Sequence, residues 1–169
     1  MYQPIELARF ALSEFERGLE GLTDEEARTR TAKADGTQMN AVSWTVGHIA
    51  GHWLSIAAYA TGEERPAHLR QFASRSTDPT PPPLDDALMW LEDAKAASGW
   101  MADADDELLS SNRGLDRPGI ETVGTALMRV ILHTWFHTGE INAIRQMLGH
   151  GEIGFVGQMV GNLEWGGAQ

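Results

Sequence analysis

The apolar positions of this chain recur at helical spacing in four long stretches. Ile5, Ala8, Leu12, Phe15, Leu19 and Leu22 step by threes and fours, which is one face of a helix that opens at Pro4. Thr23-Asp24-Glu25-Glu26 has the form of a capping box and predicts a short second helix. A long helix is expected from an N-cap at Asn40 to a stop at Gly62, with Val42, Val46, Ile49, Trp53, Ile56 and Ala60 as its seam. The next uses Leu84, Ala87, Leu91, Ala94, Ser98 and Met101, with Asp85 and Asp86 favourable in its first turn. The last runs from about Ile120 to Leu148 and stops at Gly149.

The connections have a different character. Residues 63–83 are polar and close with Pro79-Thr80-Pro81-Pro82-Pro83, a polyproline-like crossing long enough to span the end of a bundle. Ser110–Gly119 is turn-rich, and from Gly149 the glycine-rich tail is expected to be irregular or to hold one short helix. No useful strand alternation and no internal repeat is visible. The expectation is an all-α four-helix bundle with long connections, a single domain over residues 1–169.

Composition narrows what such a bundle can do. With 42% hydrophobic and 22% charged residues, neither disorder nor a collagen-like polymer is tenable. Thirteen basic against twenty-four acidic residues give a net charge of −11, which opposes binding to nucleic acid and to anionic membranes. The absence of cysteine excludes a disulfide scaffold, an Fe–S cluster and a cysteine nucleophile. No basic segment followed by an apolar run opens the chain, so a cytoplasmic location is expected. Residues 38–62 lack Asp, Glu, Lys and Arg and contain Gly47-x-x-x-Gly51. Their two histidines, asparagine and hydroxyls nevertheless argue for a buried helix rather than a membrane span.

The chemistry sits among the histidines. His133 and His137 are one helical turn apart, in the apolar row Val130, His133, His137, Ile141, Ile144 and Leu148. Two imidazoles in a core must be hydrogen-bonded or metal-bound, and this spacing suits both satisfied core histidines and a metal site. His48 and His52 form a second such pair, in a stripe with Trp44, Thr45, Ser55 and Tyr59 that is too polar for plain core. One of them facing His133 and His137 would make a three-nitrogen site with an open coordination position, as catalytic metal sites keep. Thr134 stands where a HExxH protease needs its glutamate, and Glu-x-x-His, P-loop and GxGxxG motifs are absent.

Asn40-Ala-Val-Ser-Trp-Thr-Val-Gly-His48, followed some 85 positions later by His133-Thr-Trp-Phe-His137-Thr-Gly139-Glu140, resembles the DinB/YfiT-like superfamily over nearly the whole chain. The resemblance implies an up-down-down-up four-helix bundle whose histidine triad binds a divalent metal, zinc or nickel. Carried over by position, the ligands are His48, His133 and His137; His52, one turn on, and Trp44 and Tyr59, on the same side of the helix as His48, are expected to line the pocket. The chain departs from the family pattern at Gly139-Glu140, where Gly-Gln is common. Relatives in the superfamily include mycothiol-dependent maleylpyruvate isomerase and bacillithiol transferases. The resemblance therefore implies activation of a small-molecule thiol, mycothiol or bacillithiol, for transfer or isomerisation of a small-molecule substrate.

Water activation for hydrolysis is the other chemistry such a site allows, and a non-catalytic bundle with a structural metal is the alternative. Glu140 is the candidate catalytic group, able to accept a proton or hold a ligand's N–H; a helix-surface charge is its plainer role. Arg145 is expected to be a solvated or interface residue. His68, His150 and the acidic run Asp103–Glu107 are given no site role. A homodimer is expected, since bundles in the family often pair through their helices.

Overall fold

The computed structural model describes residues 4–72, 80–112 and 121–154. Among these residues six α-helices follow one another: α1 (Pro4–Arg17), α2 (Asp24–Arg28), α3 (Val42–Thr61), α4 (Leu84–Ala97), α5 (Asp106–Ser110) and α6 (Val123–Met147). Short 3₁₀ segments span Ala67–Phe72 and Ser98–Ala102. Among the described residues there is no strand, only an isolated bridge between Ala32 and Gln38. No helix of the described residues is long and apolar enough to cross a membrane.

The contacts fix the helix directions. The end of α6 meets the end of α1, where Arg145 donates to the Gly18 carbonyl at 2.7 Å, and Phe10 packs on Trp135 halfway along. These two helices are therefore parallel. The end of α3 meets the start of α6 through Tyr59, whose hydroxyl donates to the Glu121 carbonyl at 2.7 Å, so α3 runs the other way. The start of α4 rests on α2, with the Leu84 N–H donating to Asp24. Further down, Lys95 pairs with Glu16 while Ser98 and Met101 share a cavity wall with Arg9 and Leu12, which makes α4 antiparallel to α1. The order is up-down-down-up, as the resemblance implies.

Two consecutive down helices demand a return connection. It climbs back along α3, with Leu69 over Gly51 and Phe72 over Gly47. A Cβ on Gly47 would lie 3.1 Å from the Phe72 ring, so the glycine is what lets that ring lie flat against the helix. This is the use of the Gly47-x-x-x-Gly51 pattern. The proline run beyond it lies partly outside the described residues.

Burial follows the expected seams closely. Leu84, Ala87, Leu91, Ala94, Ser98 and Met101 are all buried, although the helix tightens into 3₁₀ from Ser98. The capping box at Thr23 is complete, with Thr23 Oγ1 accepting from the Glu26 N–H and Glu26 accepting from the Thr23 N–H. One expected cap is absent. The helix start falls at Ala41, which offers no side-chain cap, one residue after Asn40. Ala41 and Val42 are both fully buried, and their packing sets the start. Gly62 ends α3 in the left-handed conformation, as expected of a terminal glycine.

Candidate metal centre

Helix α3 is buried on nearly every side because α2, α4, α6 and the returning 3₁₀ segment all pack around it. Polar side chains on it must therefore find partners inside the fold. Trp53 Nε1 does so by donating to Thr134 Oγ1 on α6 at 3.0 Å, while Thr134 passes its own proton to the Val130 carbonyl. This fixes the rotation of the two helices about one another. One turn away, it brings the histidine pairs face to face.

His48, His133 and His137 meet there, each offering one ring nitrogen within 4.8 Å of the others. His48 and His137 are buried and His133 is half-buried. His52 lies against His48 and His133, with ring centroids 4.6 Å from each, but its nitrogens stand outside the converging set. The chemistry of the other nitrogens supports this arrangement. His48 Nδ1–H donates to the Phe72 carbonyl at 2.5 Å, and His137 Nδ1–H donates to Glu140 Oε2 at 2.6 Å. Each bond assigns the ring tautomer and leaves an Nε2 lone pair directed at the cluster.

Nε2 of His48 and Nε2 of His133 are 2.9 Å apart. Without a cation, one of these nitrogens must carry a proton and donate to the other; with a cation between them, both lone pairs are satisfied at once. Metal–nitrogen bonds of about 2.0–2.1 Å place neighbouring ligand atoms roughly 3 Å apart, so the spacing fits a bound divalent ion. Burial is the main cause that holds His48 below the ordinary imidazole range, and it pushes His133 down to about 4 and His52 to about 3. Imidazoles that stay neutral are the form that ligates.

The remaining candidates fall into two groups. Trp44 stacks on His48 with ring centroids 5.2 Å apart and planes 15° from parallel, which holds the imidazole from behind. Glu140 is engaged with His137, its Oε2 accepting from the Nδ1–H. Tyr59 is placed elsewhere. Its hydroxyl is committed to Glu121 at the start of α6, and it does not line the cavity beside the histidines.

That cavity, of about 90 Å³, opens between α3 and the return connection and is bounded by His48, His52, Ser55, Arg65, Leu69 and Phe72. Arg65 and the Phe72 carbonyl were not legible as site residues. Both belong to a segment that reads as a polar linker, and the only local signal was the apolar pair Leu69 and Phe72 at helical spacing.

Two residues outside the site also differ from expectation. Arg145 is buried, not solvated, and donates to Gly18 and to His150 Nδ1. His150 in turn donates from Nε2 to Glu26 Oε1 at 3.0 Å, so the pair clasps the end of α6 to the capping box of α2. The acidic run Asp103–Glu107 includes a helix start, Asp105 capping α5 through the Leu108 N–H, and remains exposed.

A search of the curated proteins finds none that matches the chain. The sequence model of the DinB superfamily matches residues 7–141, a span that runs from α1 through both histidine pairs. The chain belongs to the DinB superfamily.

Proposed function

We propose that this protein is a divalent-metal-dependent enzyme whose ion is held by His48, His133 and His137. The observation that carries the reading is the convergence of three imidazole nitrogens, two of them on rings whose second nitrogen is already pinned by Phe72 and Glu140. Three nitrogen ligands leave a position for a reactant, and a divalent cation held there lowers the pKa of a thiol or water that reaches it. Neutral imidazole donors suit several first-row divalent ions, and the family resemblance favours zinc or nickel among them.

The chain's own groups do the rest. His48 and His137 keep their tautomers through their Nδ1–H bonds, so the site is preorganised before any ligand arrives. Trp44, stacked on His48, covers that ring from one side. The chain has no cysteine, so a sulfur nucleophile would come from a small-molecule thiol of the mycothiol or bacillithiol kind, making the reaction an S-transfer or isomerisation. Water in the same place would make it a hydrolysis.

Metal analysis of the purified protein tests the reading. About one zinc or nickel per chain is expected, lost in His133→Ala and His137→Ala and kept in His150→Ala. Retention of metal by His48→Ala together with its loss from His52→Ala would overturn the ligand set. A panel of thiols with electrophiles, assayed with and without chelator, then separates the two chemistries. Stoichiometric metal with no turnover on that panel or on esters and amides would favour a structural metal in a non-catalytic bundle.

A further inference from the structure

The cavity beside the histidines has a cation on its wall, Arg65, that no carboxylate of the described residues pairs with. Arg65 bounds the cavity with its guanidinium lying over Gly51, 3.8 Å from where a Cβ on that residue would be. Among the described residues it makes no ion pair and no hydrogen bond. Other cations of this chain do better: Arg17 pairs with Glu14, Lys95 with Glu16, and Arg129 with Glu121. Arg9, Arg30, Lys33, Arg70 and Arg145 likewise make no ion pair among the described residues, and Arg65 differs from them in bordering the cavity beside the histidines. Glu63 and Glu64 precede it directly and do not pair with it.

No carboxylate lines the cavity, so an anion entering it meets no repulsion there. Its other polar groups are His48 and Ser55, whose protons are committed to Phe72 and Gly51, and His52. His52 has no hydrogen-bond partner among the described residues and so has a ring N–H to give. Arg65 is exposed at the cavity mouth, and desolvation by the wall, with Arg70 nearby, lowers its pKa from the ordinary guanidinium value. We infer that this cavity is an anion subsite in which Arg65, with His52, binds a carboxylate or phosphate group of the molecule acted on at the neighbouring histidines. A guanidinium fork matches either group with two parallel N–H···O bonds. A cavity of about 90 Å³ that opens to solvent has room for the anionic group and a short stem. The remainder of the molecule projects from the mouth.

The inference rests on the proposed function in one respect, that the anion held is part of a substrate; the binding itself needs no metal. The test titrates propionate and inorganic phosphate separately into the full chain, once stripped with chelator and once zinc-loaded, following histidine ring resonances by NMR. Propionamide serves as the uncharged counterpart of propionate. Saturable binding of at least one anion to the stripped protein is expected, weakened roughly tenfold or more in Arg65→Gln, as for loss of a hydrogen bond to a charged group. Arg65→Lys should recover part of it, and propionamide should not bind.

Binding of propionate alone or phosphate alone assigns the class. Absence of saturable binding, equal binding by Arg65→Gln, or equal binding of propionamide overturns the inference. Metal content of the same samples separates the two readings. Protein that takes up no zinc on loading yet binds the anion through Arg65 defeats the metal centre and leaves the subsite standing. Zinc-replete protein whose Arg65→Gln variant binds both anions like the wild type does the reverse.

Discussion

Glu140 touches the histidine cluster through a single bond, from His137 Nδ1–H to its Oε2 at 2.6 Å. A carboxylate in that position orients the ring and raises its basicity, and such partners are worth about 10–100-fold in metal affinity. Glu140→Gln keeps an acceptor and loses the charge, so metal affinity should fall toward the lower end of that range. Glu140→Ala should fall toward the upper end. Competition against a chelating dye measures both, and an unchanged affinity in Glu140→Ala would show that the carboxylate is not holding His137. Thr134 is the other residue whose single contact positions the site. In Thr134→Val the buried Trp53 Nε1–H loses its acceptor, a loss of about 1–3 kcal/mol in urea unfolding.

Helix α3 shows how an element can be read correctly and understood only in part. Its span to Gly62, its burial and its histidines are all visible in residues 38–62, because a charge-free, small-residue-rich stretch with helical periodicity has few other solutions. The purpose of Gly47 and Gly51 is not visible there, since it depends on a segment twenty residues later folding back over them. The two glycines separate by substitution. Gly47→Val presses on the Phe72 ring and should destabilise the fold by about 1–3 kcal/mol, as overpacking does, and disturb the Phe72 carbonyl that holds His48. Gly51→Ala places its methyl at an ordinary 3.7 Å from Leu69 and should be neutral or gain up to about 1 kcal/mol of helix propensity. Thermal melts of the two variants check the contrast; equal melting temperatures would mean that the return connection does not seat where Gly47 requires.

Across the whole molecule, the clasp of Glu26, His150 and Arg145 joins the capping box of α2 to the end of α6. Glu26 accepts from the Thr23 backbone and hydroxyl and from His150, and these bonds bring its pKa from the ordinary 4.5 to about 2. A carboxylate depressed in the folded state contributes stability that is fully present above about 4.5 and lost as the pH falls toward 2. Glu26→Gln preserves a capping-box acceptor without the titrating charge. It should unfold with a shallower pH dependence than the wild type in that acid window, as read by denaturant midpoints at successive pH values. Parallel curves would place the acid sensitivity in other carboxylates.

The four long helices, the apolar seams, the capping box and the two histidine pairs follow from local spacing, because helical geometry alone puts residues three and four apart on one face. The short α5 lies outside that expectation. The same spacing could not say which of His48 and His52 turns its lone pair inward, since both sit on a turn of the same helix. The Trp53–Thr134 bond and the Phe72 carbonyl decide that, and both are contacts between segments far apart in sequence. The missing cysteines and the acid excess are likewise properties of the string. Only the tertiary fold sets an unpaired Arg65 beside three converging imidazoles, because a cavity wall exists only once the return connection has been laid against α3.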